Sequence, residues 1–590
     1  MAKAKAHAPG VLVAVGLAGL LVVAGPALFG TYLLNVLIQA FFFAMVAVTV
    51  DILWGYTGYL TFGQSAFFGI GAYAAGLVFT HGGSSPGHVV LALSAAVAGA
   101  AAVAALLGWL SFYRGASPFF ATVMSLVLPI VLSQLILSGG AWTGSSSGLT
   151  GYQSFDLSLD AWYRIAGMGL LLISTLAWFF VQSDAGRVLV AIRDNESRCA
   201  YLGIHTLRVK IVLLVAAAIV AGIAGFGYGS FSGVVAPELS GFVLGTQLII
   251  WVALGGRGTL WGPVVGALLI NVATAYLSAS LPFAWQLILG TAFVAVIVLL
   301  PQGLVPLLLR PFKPLRALVA SDMPPVLVER APRAPPQAAP VPALHMQGVA
   351  KHFGSLKVLQ GIDLHADAGE LLGLIGPNGA GKTTLMRCIS DGGERCAGTV
   401  VLCGNDVGQL PPERCVHFGL GRKFQNAPIF DSLTVAQCLR IAATITERPS
   451  LIRRARTLGL PPYALDVVRT TGLDQKLDTV AKDLSHGAQQ ALELVMVLAL
   501  EPRIVLLDEP TAGLTRTERT QIGSVLVALA HRYRLCCVLV EHDLDFVKEV
   551  ATRIVVLHQG GIVMQGSFDE VVDSELVKTI YAGTAQADAP

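Results

Sequence analysis

Gly376, Asn378, Gly379, Gly381, Lys382 and Thr383 lie in "GPNGAGKT", which fills every position of the pattern G-x-x-x-x-G-K-[ST]. Glycines let a run of backbone N–H groups turn toward phosphate oxygens, Lys382 adds a point charge, and the Thr383 hydroxyl can reach Mg2+. That is the chemistry of a nucleoside triphosphate grip. The apolar run Leu371–Ile375 before it reads as a strand, and Thr384–Ile389 after it can open a helix. This is the context such a loop requires. Farther on, the apolar run from Ile504 ends in the carboxylates Asp508 and Glu509. Alone, this would read as an acidic pair between a strand and a helix. With a phosphate grip upstream, Asp508 can hold Mg2+ through water and Glu509 can polarise an attacking water.

Three more stretches join the set: Gln425 in "RKFQNAPIF", "LSHGAQQ" at Leu484–Gln490, and His542 in "VEHDLDF". Their types and order resemble the Q-loop, signature motif and switch histidine of ABC transporter ATPases, over Leu344–Gly583. The resemblance implies a catalytic set of Glu509, His542 and Gln425, and a Mg2+ site of Thr383, Gln425 and Asp508. It implies ATP contacts from Gly376, Asn378, Gly379, Gly381, Lys382, Thr383 and Thr384. It also places Ser485 and Gly487 at the γ-phosphate of a nucleotide held by an opposing ATPase domain. The signature departs from the family's usual LSGGQ, with His486 third and Ala488 fifth, and the following segment, Ala512–Thr515, lacks the common aspartate. Phe353 stands where the family places an aromatic on the adenine; a core phenylalanine is the alternative.

The elements around these residues fall into two kinds. The chain has 590 residues, of which 54% are hydrophobic and 13% charged. Only 17 of the 75 Asp, Glu, Lys and Arg lie in residues 1–309. Such segregation predicts a membrane bundle followed by a water-soluble part. Apolar runs of the ~20 residues a membrane helix needs begin near Val11–Phe29 and Leu33–Trp54, and eight to ten crossings are expected by Trp285–Leu300. Lys3 and Lys5 precede the first run as in a signal peptide, but the many spans that follow favour a retained helix. The glycine-rich run Phe67–Phe79 reads as a broken or tilted helix. Gly139–Trp162 carries Asp156 and Asp160 without Lys or Arg, whereas Ser183–Lys210 carries five basic residues. The former is expected outside and the latter in the cytoplasm, with the basic "RPFKPLR" at Arg310–Arg316.

Residues 1–312 are thus expected to form the transmembrane domain, 313–343 a proline-rich linker, and 344–585 an α/β ATP-binding domain with short apolar strands between polar helical segments. No C-x-x-C occurs among the eight cysteines, so they read as reduced structural thiols. No basic run with interleaved aromatics points to nucleic acid as a partner.

Cytoplasmic loops shorter than the 28 residues of Ser183–Lys210 suit an importer better than an exporter, whose helices run far into the cytoplasm. A homodimeric exporter half-transporter is the alternative. "GYTGYLTFGQSAFFGIGAYAAG" (Gly55–Gly76), "YLGIHTLRVK" (Tyr201–Lys210) and "VALGGRGTLWGPVVGALL" (Val252–Leu269) resemble permeases for branched-chain amino acids. The ATPase half, to the "YAG" at Tyr581–Gly583, is similar to the longer of that system's two ATPases. "RDNESR", "GRKFQ" and "LSHGAQQ" look more like the urea branch. The resemblance implies a bacterial inner-membrane subunit with its ATPase in the cytoplasm. Its implied partners are a second permease, a shorter ATPase (or a second copy of this chain) and an extracytoplasmic solute-binding protein. Arg187–Leu202, with Val188, Leu189 and Ile192 as an apolar seam, is the expected coupling segment. The Gly69/Gly71/Gly76 cluster and Gly262-x-x-x-Gly266 suit close helix packing or substrate contact. Asp51 and Glu238 are the isolated carboxylates that could touch substrate or simply reach polar surroundings.

Overall fold

A computed structural model describes residues 8–113, 116–300, 302–308, 325–331, 342–425 and 429–580. Lys3, Lys5, Arg310–Arg316 and Tyr581–Gly583 lie outside them. The chain divides into two compact units. One holds Met1–Leu189, Leu207–Asp322 and Leu451–Arg453; the other holds Val190–Thr206, Met323–Ser450 and Arg454–Pro590.

The first unit is helical. Its main helices are α1 (Ala8–Leu28), α2 (Thr31–Asp51), α3 (Gln64–Gly82), α4 (Pro86–Ser111), α5 (Pro118–Ser138) and α6 (Leu159–Gln182). After α7 (Asp184–Asp194) and α8 (Glu196–Tyr201) come α9 (Thr206–Ser232), α10 (Phe242–Gly255), α11 (Trp261–Ser280) and α12 (Trp285–Leu299). Among the described residues, six helical segments are long and apolar enough to cross a membrane by length and composition: Thr31–Tyr56, Pro86–Ser111, Pro118–Ser138, Leu159–Gln182, Thr206–Ser232 and Trp261–Ser280. That is fewer than the eight to ten expected. The 14 residues of α10, at about 1.5 Å each, fall short of the ~30 Å of hydrocarbon. The glycine-rich run Phe67–Phe79, read as a broken or tilted helix, is unbroken and lies within α3.

Small residues bring these helices together. A Cβ on Gly71 would stand 1.9 Å from the carbonyl oxygen of Gly222, and one on Gly225 would stand 1.9 Å from that of Phe68. The backbones of α3 and α9 therefore touch where those glycines face each other. Gly266 meets the Trp251 carbonyl in the same way, with a would-be Cβ at 2.1 Å. Close backbone approach gives the contact that hydrophobicity cannot supply inside lipid. Asp51 is fully buried at the end of α2. It accepts hydrogen bonds from the N–H of Gly258 (2.6 Å) and of Leu260 (3.0 Å). It thus holds the turn between α10 and α11, in which Leu260 takes a positive φ of 61°. Glu238 is exposed in the short helix Pro237–Ser240.

The second unit is α/β. Its six-stranded sheet runs, in spatial order, Gly561–Gly566, Arg553–His558, Leu371–Ile375, Cys536–Val540, Ile504–Asp508 and Leu420–Lys423. All neighbouring pairs are parallel except the first. Helices cover both faces of such a sheet, so its central strands are buried and mostly apolar; Leu371–Ile375, Ile504–Asp508 and Cys536–Val540 are buried at every position. A second, antiparallel sheet joins Leu356–Ala366, Leu344–Phe353, Ala397–Leu402 and Asn405–Asp406. The proline-rich stretch expected to be linker contains a strand, Val326–Glu329, paired in parallel with Thr457–Leu460. Arg330 at its end pairs with Glu501 at 2.6 Å. Among the described residues the eight cysteines are all free.

Candidate functional site

Parallel strands deliver their carboxyl ends to one edge of a sheet, and the loops leaving that edge are where α/β folds bind ligands. Four adjacent strands here lead into the residues singled out from sequence. Leu371–Ile375 opens into Gly376, Leu420–Lys423 into Phe424 and Gln425, Ile504–Asp508 into Glu509, and Cys536–Val540 into Glu541 and His542.

The phosphate loop turns on glycines at positive φ: 154° at Gly376, 79° at Gly379 and 104° at Gly381. A Cβ on Gly376 would stand 2.1 Å from the carbonyl oxygen of Leu557, so no larger residue fits there. Asn378 is exposed at the loop's tip. Lys382, Thr383 and Thr384 form the first turn of the helix Lys382–Ser390. Lys382 is buried and its ammonium donates to the carbonyls of Gly376 (2.7 Å) and Pro377 (3.0 Å). Burial lowers its pKa, and the carboxylates of Glu509 and Asp508 oppose that shift. The Thr383 hydroxyl belongs to an exposed residue.

Three sequence-predicted residues meet at one carboxylate. Gln425 Nε2 donates to Glu509 Oε2 at 2.8 Å, and His542 Nε2 lies 3.0 Å from Glu509 Oε1. Glu509 holds a positive φ of 47°, an uncommon backbone state of the kind that collects at functional sites. Its amide bonds the Val540 carbonyl. The neighbouring Glu541, which sequence reasoning did not single out, is buried and accepts from the Thr511 N–H (2.9 Å) and hydroxyl (2.6 Å). It fixes the loop that follows Glu509.

Asp508 is buried, and its Oδ1 has no hydrogen-bond partner. Burial raises its pKa, and Arg422 is the principal group opposing that. An orphaned carboxylate oxygen and a threonine hydroxyl are hard donors. They fit Mg2+, which takes one or two carboxylates and completes its shell with phosphate and water.

Ser485 caps the helix His486–Leu498 by accepting from the Ala488 N–H. Gly487 lies so close to Glu518 that a Cβ would stand 2.2 Å from its carboxylate. His486 Nε2 lies 3.2 Å from the Ala512 carbonyl oxygen. Phe353 is 55% exposed, which removes the core-phenylalanine alternative; Lys351 stands over its ring, 4.9 Å from the centroid.

The expected coupling segment divides at residue 190, and Val190–Thr206 folds with the second unit. Asp194 accepts from the Ser432 N–H at 2.9 Å, and Arg193 donates to the Ser432 hydroxyl at 2.8 Å. Tyr201 packs edge-on against Phe424, the residue before Gln425, with ring centroids 4.9 Å apart. Arg198 is among the largest fully buried side chains, and no local sequence signal marks it.

A phosphate loop, an acidic strand end and a glutamine–glutamate–histidine cluster at one sheet edge, on a chain that opens with a helical bundle, define a membrane protein with an ABC-type ATPase. Known proteins agree. The family described as the permease component of branched-chain amino acid transport systems matches residues 32–300, and the ABC transporter family matches 359–512. The high-affinity branched-chain amino acid transport ATP-binding protein LivG of Escherichia coli K12 is 30% identical over 254 residues, 41% of this chain and 99% of the relative. BraF of Pseudomonas aeruginosa, of the same description, is 29% identical over 254 residues, again 41% and 99%. A solved ATP-binding cassette of an ABC transporter in its ADP conformation aligns at 24% identity over 41% of this chain and 99% of its own, with a TM-score of 0.35. The chain belongs to the branched-chain amino acid ABC transporter family and joins permease and ATPase in one polypeptide. It is an ATP hydrolase.

Proposed function

We propose that the chain is the fused permease and ATPase subunit of a bacterial inner-membrane importer for a small uncharged or zwitterionic solute. The candidate solutes are a branched-chain amino acid, urea or a short amide, delivered by a separate extracytoplasmic binding protein. The convergence of Gln425 and His542 on Glu509 carries the hydrolytic part. The permease match and the short cytoplasmic loops support import over export. The sparse charge of residues 1–309 suits a solute without net charge, because an unpaired charge inside the bilayer costs about 3 kcal/mol or more.

In this reading Glu509 orients the attacking water, while Gln425 and His542 hold its carboxylate in place. Lys382 and the N–H groups of the phosphate loop bind the β- and γ-phosphates. Thr383, Asp508 and Gln425 would hold Mg2+, which spreads the negative charge of the phosphates when bound. Phe353 presents its ring to the adenine. Ser485 and Gly487 engage the nucleotide of a second ATPase domain, supplied by a shorter ATPase or a second copy of this chain. A second permease completes the bundle, residues 313–343 join the two domains, and residues 190–206 couple them.

The test is uptake of labelled leucine and urea into vesicles holding the assembled complex, with and without the binding protein. Import that needs ATP and the binding protein supports the reading. Outward transport, or uptake indifferent to the binding protein, overturns it.

A further inference from the structure

We propose that Arg198 is a positioning residue for ATP hydrolysis, acting through Glu493 on the loop that carries Gln425. The proposal deepens the coupling role given above to residues 190–206.

Glu493 is a junction of three segments. It lies eight positions after Ser485 on the helix His486–Leu498 and is fully buried. Its Oε1 accepts from the Phe424 N–H at 2.9 Å, next to Gln425 in the chain. The same oxygen lies 3.4 Å from Nη1 of Arg198, whose side chain is also fully buried. Arg198 Nη1 donates to the Arg422 carbonyl at 2.9 Å as well, so the guanidinium grips the strand that ends at the Gln425 loop. Asn195 caps the short helix α8 by accepting from the Arg198 N–H at 2.9 Å, which sets the direction of the side chain. From the same helix as Glu493, Gln490 Nε2 reaches the Gln425 carbonyl at 3.5 Å. The route runs from Arg198 to Glu493, to the Phe424 amide, to Gln425 and so to Glu509.

The junction also has a second cation. Lys423 is buried with its Nζ 3.7 Å from Glu493 Oε2, an oxygen with no hydrogen-bond partner. One carboxylate thus faces two buried cations and hydrogen-bonds fully with neither. Buried ion pairs contribute little net stability, because desolvation offsets attraction, yet removing one partner is costly. If residues 190–206 shift, Lys423 is placed to take Glu493 over. That exchange would pull on the Phe424 amide and on Gln425 beyond it. A pair of discrete arrangements of this kind is what lets one segment bias another.

The experiment uses the full chain in its complex and measures ATP hydrolysis for R198M, R198K, E493Q and R198M/E493Q, with uptake recorded in parallel. R198M is expected to lower kcat about tenfold with KM for ATP unchanged, the mark of a group that acts on turnover and not on nucleotide binding. R198K, which keeps the charge but loses the planar fork, should recover part of the loss. Because both residues act on one route, R198M/E493Q should be no slower than the worse single variant. Multiplicative losses in the double variant, or a change in KM with kcat intact, overturn the proposal. If R198M does not assemble, R198K and E493Q decide it: both at parental kcat also overturn it. Parent complex that hydrolyses ATP without import removes the importer reading alone and leaves these comparisons to decide on Arg198.

Discussion

Gln425 Nε2 and Glu509 Oε2 stand 2.8 Å apart although the two residues are 84 positions apart in the chain. The contact exists because Leu420–Lys423 and Ile504–Asp508 are adjacent parallel strands that end at the same edge. It ties the loop after one strand to the carboxylate after the next. Glu509→Gln keeps the shape but removes the charge that would draw a proton from water. Turnover should fall by about 10²–10⁴, the usual worth of a positioned general base, while ATP binding persists. Nucleotide binding beside phosphate release checks this; near-parental release would remove Glu509 from the role.

Lys382→Ala removes the only ammonium of the phosphate loop. Charged hydrogen bonds are worth about 1.5–3 kcal/mol, so affinity for ATP should fall by roughly ten- to a hundredfold. Equilibrium binding of a fluorescent ATP analogue reads it. Unchanged affinity would count against a phosphate contact.

Asp51→Asn tests whether this buried carboxylate holds a turn. Its two oxygens accept from Gly258 and Leu260, and an amide presents one acceptor with an N–H2 facing the other donor. A buried donor left without a partner costs about 1–3 kcal/mol. Melting of the purified complex in detergent should drop by several degrees, and ATP affinity should not change. Parental melting with lost uptake would instead assign Asp51 to the solute path.

Gly71→Ala inserts a methyl where the Gly222 carbonyl lies 1.9 Å from the would-be Cβ. Neither side of that contact is a flexible side chain, so α3 and α9 must separate. Overpacking of this kind costs about 1–3 kcal/mol. Lower yield and thermal stability of the complex are expected, whereas Gly16→Ala, with nothing within 4 Å of its would-be Cβ, should be neutral.

Asp194 and Ser432 are joined by a 2.9 Å hydrogen bond from the Ser432 amide. D194C/S432C should therefore form a disulfide under mild oxidation in the full chain. Absence of the cross-link, or labelling of a single cysteine at 194 from the extracytoplasmic side, would overturn both the placement and the topology.

The phosphate loop, the acidic strand end and the partition of charge were legible in the sequence because each is local. Gly376 to Thr383 are consecutive, Asp508 and Glu509 are adjacent, and the backbone there needs no distant partner to take its form. Glycine spacing in α3 and α11 likewise announced close packing, whereas the α9 glycines that meet α3 were recognised only in the fold. What the residues could not announce were pairings between distant positions. Arg198 reads as one more basic residue in a cytoplasmic loop. Only the fold places it against a helix 295 positions away and makes Glu493 a shared carboxylate. Asp51 looked like a stray intramembrane charge until the turn at Gly258–Leu260 supplied its two donors. Val326–Glu329 looked like linker among prolines, because a four-residue strand has no periodicity of its own and forms only when Thr457–Leu460 offers its edge. Local chemistry is written in spacing. Buried charge, helix contact and strand partner are decided by which distant backbone arrives beside them, since only burial makes those interactions strong enough to matter.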